Sequence, residues 1–207
     1  MPGQLKKALK VAEQEGHFFA DFHCSWNALL QANRTGLSAE KTLRSFLEKE
    51  EASQGVIDKA LEALSADLSE EIVVKPVEGA KELLLSLKGH QLAIVSRGRE
   101  SLQRDKLEKA GLDVRCFSKI MITPVPNKQS CYQKILFELG RAPGETIVVG
   151  DRLEVDLSPA KALGCYTVQI MRGRAFFGTS TGHLEGPDEK IDDLGELISI
   201  VDNLKSR

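Results

Sequence analysis

The sequence predicts an α/β protein, a doubly wound parallel sheet with a small all-helical insert near its N-terminus. Three observations predict it. From Val77 onward, short apolar runs rich in β-branched residues alternate with segments of helical period. Between Ser25 and about Ser69 the pattern is helical throughout and carries no strand signal. Polar residues stand at the C-terminal ends of the apolar runs, and that edge is where open parallel sheets bind ligands.

Leu5, Ala8, Leu9 and Ala12 recur at helical spacing and predict a short amphipathic helix over residues 4–14, stopped by Gly16. His17-Phe18-Phe19-Ala20-Asp21-Phe22-His23 is read as a short strand without Val or Ile. Leu29 and Leu30 then precede a break at Thr35-Gly36. Ser38 caps a helix with Leu43, Phe46 and Leu47 on one face. Ile57, Ala60, Leu61 and Leu64 form the stripe of the next.

Pro76 marks a change of pattern. A helix over about 77–88 turns Ala80, Leu83, Leu84 and Leu87 inward, and Gly89 ends it. Leu92-Ala93-Ile94-Val95-Ser96 is a central strand, apolar on both faces as a covered parallel sheet requires. Arg97-Gly98 turns the chain into a helix holding Leu102, Leu107 and Ala110. Residues 119–123 form another strand, stopped by Pro124 and Pro126, and a helix with Tyr132, Ile135, Leu136 and Leu139 follows. Ile147-Val148-Val149-Gly150 is a buried strand, and Ser158-Pro159 starts the helix after it, which Gly164 closes. Residues 166–170 form a strand and 172–190 a Gly-rich loop. Leu194, Leu197, Ile198, Val201 and Leu204 lie on the last helix. Such alternation implies parallel strands with right-handed crossovers.

Composition narrows the function classes. At 207 residues the chain has room for a core and an insert, and 42% hydrophobic with 28% charged residues is ordinary for a globular protein. A net charge of −2 without a basic block speaks against a nucleic-acid surface. Cys24, Cys116, Cys131 and Cys165 form no CxxC, so neither a zinc knuckle nor a disulfide framework is expected. The absence of an apolar run of 18 residues, and of a signal-peptide pattern, leads to the expectation of a soluble cytoplasmic protein with no membrane partner. Oligomeric state is not readable.

The strand ends carry the chemistry. Ser96 follows Ile94-Val95, Lys128 lies beyond the 119–123 strand, and Asp151 and Asp156 follow Gly150. Singly, each has an ordinary reading as a helix cap, a solvated lysine or an acidic loop. All parallel strands end on one edge, however, so these residues can meet. A hydroxyl and an ammonium donate to phosphoryl oxygens, and paired carboxylates suit a hard cation such as Mg²⁺. His17, His90 and His183 read as surface residues, and Trp26 as core or interface packing.

Three stretches carry a family resemblance. Ile94-Val95-Ser96-Arg97-Gly98, continued by Gln103, Lys106-Leu107 and Gly111-Leu112, is one. Lys128 with Tyr132 is the second, and Val148–Asp156 running into Ala160–Gly164 is the third. In this order they resemble the second, third and fourth motifs of the haloacid dehalogenase (HAD) superfamily, whose members are mainly phosphatases. The resemblance covers roughly residues 75–205. It implies a Rossmann-like core domain over 1–25 and 76–207 and a C1-type helical cap over 26–75.

The family's first motif is a strand ending in Asp-x-Asp-x-Thr. Asp21-Phe22-His23-Cys24-Ser25 stands at that place. By the resemblance Asp21 is the nucleophile, and His23 replaces the acid/base Asp. Ser25, Ser96, Arg97 and Lys128 hold phosphate, with Ser96 and Lys128 also catalytic. Mg²⁺ is held by Asp21, the backbone carbonyl of His23, Asp151 and Asp156. The implied activity is a Mg²⁺-dependent phosphatase for a small phosphorylated substrate, working through an aspartyl-phosphate. His23 leaves two alternatives standing: a binding or regulatory module impaired in catalysis, and a dehalogenase or phosphonatase.

Overall fold

The computed structural model describes residues 2–36, 38–66, 73–125, 127–173, 175 and 185–205. The chain divides into two compact units, Met1–Ile72 and Val73–Arg207. His183 and most of the Gly-rich stretch lie outside the described residues.

The N-terminal unit is helical: α1 (Pro2–Gln14), α2 (Phe22–Thr35), α3 (Ala39–Lys49) and α4 (Gln54–Ser65). Their apolar stripes meet in one core. Leu5, Ala8, Leu9 and Ala12 of α1 are fully buried with Leu29, Leu43, Leu47 and Ala60. Ser38 and Ser53 cap α3 and α4 by accepting backbone N–H groups, which satisfies donors that the first turn cannot use. The end of the unit is tied back where Gln4 Nε2 donates to the Ala66 carbonyl at 3.1 Å.

Residues 17–23 form no strand; 17–19 have no regular secondary structure and α2 already begins at Phe22. The physical reason lies in the aromatic rings. Phe19 is buried in the helical core, and His17, Phe19 and Phe22 meet edge to face at centroid distances of 4.6 and 6.0 Å. Residues 1–25, grouped by the sequence with the sheet, lie in this first unit.

The C-terminal unit alternates strands and helices. It contains α5 (Ala80–Ser86), β1 (Leu92–Arg97), α6 (Glu100–Lys109), β2 (Phe117–Thr123), α7 (Gln129–Leu139) and β3 (Ile147–Gly150). A π-helical turn over Leu153–Leu157 leads into α8 (Ser158–Lys161), followed by β4 (Tyr166–Ile170), β5 (Glu189–Ile191) and α9 (Glu196–Lys205). All pairings are parallel: β1 with β2, and β3 with β4 with β5. Among the described residues β1 and β3 each pair on one side only. The sequence predicts both as strands buried on each face, yet no residue of either is fully buried. Edge position is the reason.

Helix α7 links the two sheets by packing. Its Tyr132 and Leu136 share a core with Ala160 and Cys165, against Val95 of β1 and Val148 of β3. A second core joins Leu83, Leu87, Val168, Ile191 and Leu197. Strand β5 falls within the predicted loop because Glu189 and Lys190 are exposed and give no apolar signal. It is anchored by Asp188, whose carboxylate accepts the Thr167 N–H at 2.8 Å and hydroxyl at 2.6 Å. All four cysteines are free thiols, and no helix among the described residues is long and apolar enough to cross a membrane.

Leu43→Ala removes a fully buried side chain and is expected to cost about 2–5 kcal/mol in urea unfolding. Leu85→Ala, at an exposed position on α5, is expected to stay within about 0.5 kcal/mol. Equal losses for the two would contradict the packing described.

Candidate functional site

Lys128 stands at the N-cap of α7 and reaches across two elements. Its Nζ donates to Asp156 Oδ1 at 2.6 Å and to the Val95 carbonyl of β1 at 3.0 Å. The two side chains are only 11% and 10% exposed, so each charge is largely desolvated and depends on the other. Asp156 spends its second oxygen on the Arg152 N–H at 3.2 Å. Its backbone carbonyl accepts the Tyr132 hydroxyl at 3.1 Å. Burial, followed by the negative charge of Asp156, pushes the Tyr132 hydroxyl well above its ordinary pKa, so it stays a donor.

The backbone around Asp156 is folded for this contact. The Asp156 and Leu157 N–H groups both reach the Arg152 carbonyl, at 2.9 and 3.3 Å, which makes the π-helical turn. Gly150 permits it, because a Cβ there would lie 2.6 Å from Asp156 Cβ.

Asp151 follows β3 directly and is half-buried. Its backbone carbonyl accepts Gln169 Nε2 from β4 at 3.3 Å. Its carboxylate lies against Gly173, where a Cβ would stand 3.1 Å from Oδ2. At the end of β1, the Ser96 hydroxyl donates to Gln103 Oε1 on α6 at 3.3 Å. Arg97, the last residue of β1, pairs in register with Thr123 of β2.

Asp21, His23 and Ser25 occupy the start of α2 in the other unit. Asp21 is its N-cap, accepting the Cys24 N–H at 3.0 Å. That N–H, the Cys24 thiol and the His23 N–H hold the Asp21 carboxyl below the ordinary range. The same contact pushes the Cys24 thiol up. His23 is exposed and Ser25 half-buried, its N–H donating to the Asp21 carbonyl at 3.0 Å.

The structure therefore brings Ser96, Lys128 and Asp156 to one end of the parallel strands, with Asp151 following β3 there. Among the described residues no group of three or more His, Cys, Asp or Glu forms a ready metal cluster. Gln103 and Tyr132 belong to the stretches that carry the resemblance, but the contacts of the Gln103 amide and the Tyr132 hydroxyl, and Gln169 altogether, are not read from the sequence. For Gln169 a signal existed, since an amide inside Tyr166-Thr167-Val168-Gln169-Ile170 has to find a partner when buried.

Residues 16–170 match the family described as haloacid dehalogenase-like hydrolase. A glyceraldehyde 3-phosphate phosphatase of Methanocaldococcus jannaschii is 31% identical over 141 residues, covering 64% of this chain and 59% of its own length. A ribulose-1,5-bisphosphate 5-phosphatase of Halopiger xanaduensis is 30% identical, over 60% of this chain and 56% of that protein. The chain thus spans less than two thirds of either relative. A magnesium-bound HAD-hydrolase structure from Bacillus subtilis superposes with a TM-score of 0.68 at 17% identity, covering 97% of this chain and 92% of the other. At that identity the likeness speaks for the fold.

Lys128→Ala leaves a buried Asp156 carboxylate without its cation and is expected to cost about 3–5 kcal/mol in urea unfolding. Removing both charges, in Lys128→Met with Asp156→Leu, is expected to recover most of that loss. A single substitution as stable as wild type would contradict the mutual dependence of the pair.

Proposed function

The chain belongs to the haloacid dehalogenase-like hydrolase family, and from that premise we propose that it is a Mg²⁺-dependent phosphatase acting on a small phosphorylated metabolite. The observation that carries the reading is the Lys128–Asp156 pair beside the end of β1, one residue from Ser96. Lysine has three N–H donors. Two serve Asp156 and Val95 among the described residues, which leaves one for a phosphoryl oxygen. The Ser96 hydroxyl and Arg97 supply further donors at the same strand end. The names of the two relatives favour a sugar or triose phosphate as the substrate class.

In this reading an Asp21 oxygen attacks phosphorus as the ester P–O bond breaks. The alcohol leaves with a proton from His23, whose imidazole serves as the general acid. Water then attacks the aspartyl-phosphate, releasing phosphate and restoring Asp21. The contacts that lower the pKa of Asp21 favour its carboxylate form, the form a nucleophile requires. Ser25 adds a hydroxyl for the phosphate.

Asp151, whose carboxylate lies beside Gly173, offers oxygens of the kind a hard divalent cation takes, and the reading assigns Asp21 and the His23 carbonyl as further oxygen donors. Mg²⁺ bound there would neutralise charge between carboxylates and phosphate. Asp156, with both oxygens engaged, contributes by holding the loop and Lys128. The reading keeps 1–25 and 76–207 as the core and 26–75 as a cap over the substrate. It also keeps a cytoplasmic location and neither a nucleic-acid nor a membrane partner.

One observation favours a second reading. Asp21 caps α2 and no strand precedes it, so the chain could bind a phosphorylated ligand without turning it over. Hydrolysis of a broad panel of phosphate esters, with Mg²⁺ and with chelator, separates the two. A phosphatase is expected to lose on the order of 100-fold or more in kcat/KM in Asp151→Asn, in Asp21→Ala and on chelation. Phosphate binding without turnover of any ester would establish the binding module instead.

A further inference from the structure

Ser96 can hold a phosphoryl oxygen only by giving it a proton, and in this structure that proton is given elsewhere. The hydroxyl donates to Gln103 Oε1 at 3.3 Å, so its lone pairs are what remain for a ligand. Lone pairs repel a phosphate. The amide that takes the proton is closely seated: a Cβ at Gly98 would stand 2.5 Å from Gln103 Nε2 and 3.3 Å from Cδ. Gly98 itself cannot withdraw, since its N–H donates to the Thr123 carbonyl of β2 at 2.9 Å. Its φ of +144° is a conformation that favours glycine.

We infer that Gln103 is a positioning residue that sets which way the Ser96 hydroxyl points, and so whether the strand end accepts phosphate. The inference rests on the phosphatase reading and adds to it. The end of an amide changes from acceptor to donor by rotation about its last bond. With Oε1 toward Ser96, the hydroxyl proton is held on α6. With Nε2 toward Ser96, the amide donates to Oγ and the hydroxyl proton is released to the ligand. The chain then runs from amide to hydroxyl to phosphoryl oxygen, each donor pointing toward the charge. Gly98 lets the amide lie against it in either orientation, because only a hydrogen stands where a side chain would clash with it.

The test uses the full chain in Mg²⁺ buffer and inorganic phosphate as the probe, with affinity read by titration calorimetry. Gln103→Glu puts an oxygen at both ends, which holds the Ser96 proton permanently. It is expected to weaken phosphate by about tenfold or more. Gln103→Met keeps the length and removes the acceptor, and is expected to stay within about threefold. Both should melt like wild type. The decisive arm repeats the pair in Ser96→Ala, where the Gln103→Glu effect should shrink to what its charge alone contributes. Gln103→Glu binding phosphate like wild type, or losing as much with Ser96 absent, overturns the inference while leaving the phosphatase reading intact. A wild type that binds no phosphate overturns both.

Discussion

The buried contact of Lys128 with Asp156 is the constraint on which the C-terminal unit depends. A charge removed from water is costly unless its partner and hydrogen bonds are all in place. Here that condition fixes several elements at once. The start of α7 must bring Lys128 to within 3.0 Å of the Val95 carbonyl. The chain after β3 must tighten into a π-helical turn to present Asp156, and Gly150 must lack a side chain for it to do so. Tyr132 and the Arg152 N–H then complete the hydrogen bonding. Since β1 and β3 share no ladder among the described residues, this pair and the packing of α7 are what relate the two strand ends.

The same constraint explains why the site is chemically polarised. Asp156 is neutralised and enclosed, whereas Asp151, five residues earlier, remains at the strand end beside Gly173. Two carboxylates close in sequence therefore take different work. One organises the lysine and the loop. In the phosphatase reading the other is a cation ligand. Lys128 keeps a third N–H donor beyond its contacts with Asp156 and the Val95 carbonyl.

Much of this was legible because parallel strands all end on one edge. Ser96, Lys128, Asp151 and Asp156 are separated by up to 60 positions, yet the alternation of apolar runs and helices brings their elements to one end. What escaped the sequence was contact in three dimensions. Gln103 belongs to a stretch that carries the resemblance, but its contact with Ser96 and its seat on Gly98 exist only in three dimensions. Strand β5 is defined by Asp188 bonding to Thr167 rather than by apolar residues. The half-burial of β3 depends on which neighbours flank it, a long-range property that Ile147-Val148-Val149 cannot carry.

The stretch around Asp21 was misread for a more specific reason. An Asp after aromatic residues and before a helical pattern looks the same whether it ends a strand or caps a helix, because both place a carboxylate over free N–H groups. Here Phe19 joined the helical core, and that burial decided between them. The cap does not disqualify Asp21 from chemistry. A carboxylate has about four acceptor positions, so bonds to the start of α2 leave oxygen lone pairs for phosphorus. In the phosphatase reading, bonds that lower its basicity make it a weaker nucleophile and a better leaving group from an aspartyl-phosphate.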